Sequence, residues 1–113
     1  MNPRDGRSFQ QRDLFGGQGE VIVRDLLEGK TAGPFTAVLA CELEPQGTVG
    51  AHLQADDSEL LIVLKGSGKA HIGTTEHALT EATTLFLPLG ETLALTNESE
   101  REALHYLLIK ARA

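Results

Sequence analysis

Apolar and polar residues alternate over short stretches of this chain and never settle into a three-to-four-residue repeat. From Phe35 to Leu43, for example, Phe35, Ala37, Leu39, Cys41 and Leu43 fall on every second position. A period of two puts such residues on one face of an extended strand, whereas a helix would need apolar side chains three or four apart. The pattern predicts strands at residues 21–25, 35–44, 49–54, 59–64, 69–73, 77–79, 83–87, 92–97 and 103–110. Gly, Pro and Asn punctuate them: Gly66-Ser67-Gly68 reads as a tight hairpin reversal, Gly73-Thr74-Thr75-Glu76 as the next turn, and Pro88-Leu89-Gly90 as a third. Only residues 26–28 and 80–83 suggest helical turns, and the β-branched Thr83 and Thr84 weaken the second. The expectation is an all-β sandwich or barrel.

One strand departs from simple alternation. Leu60-Leu61-Ile62-Val63-Leu64 is apolar on both faces, so its outer side needs a cover as well as its inner side. A second copy of the same sheet is the default cover, which makes a homodimer the expected assembly. The first twenty residues are polar and glycine-rich and read either as partly disordered or as an arm adding an edge strand to a partner subunit.

Composition narrows the picture further. A chain of 113 residues suits one domain. Ten Lys and Arg against sixteen Asp and Glu give a net charge of −6, without the basic run that grips a phosphate backbone, so nucleic acid is not an expected partner. No stretch has the length and apolarity of a membrane span or secretion signal, and the expectation is a cytoplasmic protein without a membrane partner. The single cysteine, Cys41, rules out an internal disulfide and a cysteine-based zinc cluster; its place in the alternating row reads as a buried thiol.

The densest potential chemistry lies between Pro45 and Gly68. His52 and Gln54 are two apart and project to one side of a strand, and Glu59 follows across a short turn. One imidazole, one amide carbonyl and one carboxylate form a weak candidate metal set. If Glu59 shares its face with Leu61 and Val63, its carboxylate must be paired with His52, hydrogen-bonded to Gln54, bound to a cation or protonated, because an isolated buried charge is costly.

Two spaced motifs follow one another along the chain: Gly47, four residues, His52-Leu53-Gln54, four residues, Glu59, six residues and Gly66, and then Pro88-Leu89-Gly90, two residues, Leu93, three residues and Asn97. In this order they resemble the first motif and the frame of the second motif of the cupin superfamily of small jelly-roll barrels. The resemblance covers roughly residues 35–110 and implies a double-stranded β-helix, an RmlC-like jelly roll, with a metal held by two histidines and a glutamate of the first motif and a histidine of the second. Here Gln54 and Leu93 replace two of those histidines. Glutamine is a poorer donor to transition metals than imidazole, and leucine donates nothing.

The resemblance therefore implies a pocket at His52, Gln54, Glu59, Leu61 and Leu93, with His52, Gln54 and Glu59 left as a degenerate metal site. The leading expectation is a binding or structural module for an unknown small molecule, its interior filled largely by its own apolar side chains, with no cofactor or at most a weakly held divalent transition metal. A metal-dependent oxygenase or isomerase using His52, Gln54 and Glu59 is one alternative. A metal-free, epimerase-like acid/base enzyme using His52 with Glu59 or Tyr106 is the other. His71 and His77 flank a turn and read as surface or rim residues. His105 alternates with Ala103, Leu107 and Ile109 and reads as a core histidine, with Tyr106 on the opposite face.

Overall fold

The computed structural model describes residues 8–112. Among them the chain forms ten strands: β1 (Ser8–Arg12), β2 (Glu20–Asp25), β3 (Phe35–Leu43), β4 (Thr48–Leu53), β5 (Asp57–Lys65), β6 (Gly68–Ile72), β7 (Thr75–Leu79), β8 (Thr84–Leu87), β9 (Thr92–Thr96) and β10 (Leu104–Arg112). One 3-10 turn at Leu14–Gly16 joins β1 to β2. No helix among these residues is long and apolar enough to cross a membrane.

The strands build two antiparallel sheets, β1-β2-β3-β10-β5-β8 and β4-β9-β6-β7. From β3 onward the chain crosses between sheets at every connection except β6 to β7, the winding of a jelly roll. The sheets face each other without a ladder joining their edges among the described residues, so the barrel is open. Between them lie Val21, Val23, Cys41, Leu43, Val49, Leu61, Val63, Ala70, Leu79, Leu87, Leu93, Leu95, Leu104 and Tyr106. These are mostly the alternating residues of the sequence pattern, buried because each strand turns one face inward.

Two local expectations change. The Gly66-Ser67-Gly68 segment reverses the chain, with Gly66 at φ +99°, but it makes no hairpin: β5 pairs with β10 and β8, while β6 pairs with β7 and β9. Glycine marks where a backbone turns, whereas the pairing partner depends on the sheet the next strand enters. On β10 it is Leu104, Tyr106 and Leu108 that pack inward; His105 is half-exposed, with Nε2 3.8 Å from a Glu42 carboxylate oxygen. Both rows of β10 are apolar, so alternation alone could not choose the inner one. β1 is an edge strand paired with β2 of its own chain, and the segment before it lies outside the described residues.

Asn97, the last residue of the second motif, has a structural role. It is buried, its amide donates to the carbonyls of Leu43, Glu44 and Glu102, and its Oδ1 accepts from the Ser99 backbone N–H. One side chain thus ties the end of β3 to the turn before β10 through backbone carbonyls.

Candidate functional site

His52 reaches the interior because β4 is irregular. Across the β4–β9 ladder Val49 pairs with Leu95 and His52 with Leu93, so three steps along β4 match two along β9. The extra residue, at Gly50–Ala51, forms a β-bulge. Val49 already faces the core, and strict alternation would turn His52 outward; the bulge reverses the parity and sets the imidazole opposite Leu93.

The bulge also seats the arm that covers His52. A Cβ on Gly50 would lie 1.8 Å from the Phe15 carbonyl oxygen, and one on Gly17 would lie 2.2 Å from that of Thr48, so the Leu14–Gly16 turn rests on β4 by glycine contact on both sides. Phe15 takes a left-handed conformation, φ 53° and ψ 35°, which costs an aromatic residue energy and persists because this docking holds it. Its ring stacks on the imidazole with centroids 4.1 Å apart. Nδ1 of His52 is 3.2 Å from the Gly50 carbonyl, which can only accept, so Nδ1 carries a proton and Nε2 is the free nitrogen of the neutral ring. Burial under Phe15 holds the imidazole pKa below its ordinary value, partly offset by that hydrogen bond.

Glu59 lies deeper. Its side chain is 0% exposed, and neither carboxylate oxygen has a hydrogen-bond partner. Its register partner on β10 is Lys110, whose Nζ stands 3.6 Å from Oε1, an ion-pair distance longer than a hydrogen bond. Burial pushes the Glu59 pKa up, and Lys110 opposes that rise. Lys110 shares the inward face of β10 with Tyr106 and Leu108. Tyr106 is the register partner of Cys41 on β3; burial raises the Cys41 pKa to about 12 and pushes the Tyr106 phenol well above its ordinary range.

These side chains surround a cavity of about 190 Å³ between the sheets. Its walls are largely apolar, from Leu14, Val21, Val23, Leu39, Leu93 and Leu95 among others, with Cys41 and Tyr106 on one side. The interior is therefore not filled by its own side chains. A second, more polar cleft of about 420 Å³ opens outside it, lined by Gln54, Asp56 and Asp57. Phe15, His52 and Lys110 line both spaces and stand at their junction.

The residues singled out in sequence thus divide. His52 and Leu93 meet at the inner cavity; His52 and Gln54 meet at the outer cleft. Glu59 and Leu61 are buried but line neither space, and Glu59 connects to the cavity only through Lys110. Sequence reasoning missed Lys110 and Phe15. The signal for Lys110 was present: with Tyr106 facing inward, a period of two carries the same face to Leu108 and Lys110. Phe15 had none, since its position depends on glycine contacts between distant segments.

No protein-family model matches the chain, and no curated protein matches its sequence. Solved structures match it in shape. A protein from Thermotoga maritima described as a predicted oxalate decarboxylase superposes with a TM-score of 0.89 at 20% identity, covering 99% of this chain and 97% of that one. A Cupin 2 conserved barrel domain protein from Salinispora arenicola matches with a TM-score of 0.71 at 18% identity, over 82% of this chain and 76% of the other. A sugar phosphate isomerase of the cupin superfamily from Silicibacter pomeroyi gives 0.70 at 18%, over 82% and 60%. At these identities the likeness establishes the fold, a cupin barrel, and leaves the chemistry to the site.

Proposed function

We propose that this cupin-fold barrel is a metal-independent binding module for a small, mainly apolar molecule held in the cavity between its sheets. The cavity carries the reading. At about 190 Å³ it exceeds the roughly 150 Å³ apolar cavities that accept a benzene-sized ligand, and its mostly apolar wall includes a few polar side chains, His52, Tyr106 and Lys110 among them. It is smaller than a drug-sized pocket, which argues for a compact ligand.

The donors do not fit the transition metal that the fold family implies. Leu93 faces His52 where a further imidazole would be needed. Among the described residues no three His, Cys, Asp or Glu side chains gather as ligands. The ammonium of Lys110 faces the Glu59 carboxylate, and like charge there repels a metal cation. The metal-dependent alternative at His52, Gln54 and Glu59 would require that ammonium to move away.

Metal analysis of tag-free protein tests the proposal. Well under one transition metal per chain is expected after dialysis, and Leu93→His should raise titrated zinc affinity at least tenfold by adding an imidazole across from His52. Stoichiometric nickel, iron, manganese or zinc in the unaltered protein would overturn the metal-independent reading. The acid/base alternative has its own support: Tyr106 lines the same cavity as His52, whose neutral ring offers Nε2 as a base. Turnover of a bound carbonyl compound, abolished by His52→Asn with binding retained, would establish it.

A further inference from the structure

We infer that Lys110 is the ligand's polar anchor: its ammonium supplies the countercharge of Glu59 and offers its remaining hydrogens to the cavity, selecting compact apolar molecules with a terminal acceptor oxygen, a carbonyl or carboxylate. The inference rests on the cavity being a ligand site and names the class of molecule that enters it.

The geometry runs from β10 inward. Lys110 projects from the same strand face as Tyr106 and Leu108, faces Glu59 across the β10–β5 ladder, and lines both the inner cavity and the outer cleft. An ammonium has three donors and no acceptor. Glu59 Oε1 stands 3.6 Å from Nζ, and the Lys110 side chain also lines the cavity. A partly buried ammonium draws an oxygen acceptor because a charge-assisted hydrogen bond is stronger at the edge of an apolar cavity than in bulk water, and it repels a second cation. Nothing on the cavity wall would hold a ligand cation, since the wall carries no Asp or Glu. The acidic side chains Asp56 and Asp57 belong to the outer cleft. A six-membered ring matches the volume of the largely apolar cavity that Lys110 lines.

Three probes of one shape separate the cases: cyclohexanone, cyclohexanecarboxylate and cyclohexylamine, titrated at pH 7 into the full-length ¹⁵N-labelled protein and followed by amide shifts on β4 and β10. At least one oxygen-acceptor probe should bind at least tenfold more tightly than the amine, and comparing the two tells whether a neutral carbonyl or an anion is preferred. Because Lys110→Met alone strands a buried charge, the comparison protein is Glu59→Gln/Lys110→Met, which removes both charges. It should lose at least fivefold in affinity for the preferred probe and keep its affinity for the amine within twofold, while Lys110→Arg should retain part of the preference. An amine bound as tightly as both other probes, or a double variant with unchanged selectivity, would overturn the role of Lys110 while leaving the ligand cavity intact. Absence of saturable shifts with all three would overturn the ligand cavity itself and the anchor with it.

Discussion

Replacing Lys110 with methionine keeps most of the side chain's length and removes its charge, leaving Glu59 as a fully buried carboxylate without a hydrogen bond. At 3.6 Å and an effective dielectric of about 20, the attraction lost is about 5 kcal/mol. Protonation limits the damage: the variant can neutralise Glu59 instead, and at pH 7 that costs about 3.4 kcal/mol, the 2.5 pH units above the ordinary value of 4.5 at 1.36 kcal/mol each. Because the native protein, with its raised Glu59 pKa, already bears part of that cost, Lys110→Met should lose less than about 3.4 kcal/mol at pH 7. The sign with pH follows from the raised Glu59 pKa. A carboxyl that is easier to protonate folded than unfolded contributes stability present below the unfolded value and lost as pH rises through the folded value, so the penalty shrinks on acidification, to below about 0.7 kcal/mol at pH 5. Glu59→Gln should behave oppositely and cost under about 1 kcal/mol at pH 7, because Lys110 is 31% exposed and can reach water. With no tryptophan in the chain, urea unfolding followed by far-ultraviolet circular dichroism is the suitable assay. An equal penalty for Lys110→Met at both pH values, or Glu59→Gln as costly as Lys110→Met, would refute the pairing argument.

Three further outcomes follow from the same structure. Gly50→Ala sets a methyl 1.8 Å from the Phe15 carbonyl, so it should lift the Leu14–Gly16 turn at a cost of about 2 kcal/mol and let the His52 pKa rise toward its ordinary value, read by proton NMR; an unchanged titration would show that Phe15 does not cover the ring. Cys41, buried with its pKa pushed up to about 12, should resist a thiol reagent at pH 8 in the native protein and react fully in denaturant, and rapid native labelling would contradict its packing. Phe86, Leu60, Ile109 and Val38 form one cross-strand row and Ile62, Leu107 and Ala40 another on the outside of the larger sheet, so light scattering at micromolar concentration should give the mass of two chains and Phe86→Glu that of one; a monomeric unaltered protein would remove the homodimer expectation.

The strands were legible because each one turns a single face to the core, and that burial writes alternation into the chain. Most predicted segments match observed strands to within a few residues, and the inward placement of Glu59, Leu61 and Val63 followed directly from it. On β10 both rows are apolar, so alternation does not choose the inner face, and taking the row of His105 as the inner one concealed Lys110. Alternation also could not supply the reason His52 faces inward, since the parity of β4 is reversed by a bulge visible only in the pairing with β9.

By itself the sequence determined the all-β class and most of the strands, because these depend on residue identity and short-range period; the jelly-roll order, and Gln54 and Leu93 as replacements of two imidazoles, were implied by the resemblance of its two motifs to those of cupins. The tertiary structure decided that Phe15 lies over His52, that Lys110 faces Glu59, and that an open cavity remains between the sheets. Each of these depends on contacts between segments far apart in the chain, on register, bulges and the close approach of glycine backbones, and no local pattern encodes which distant strand will be the neighbour.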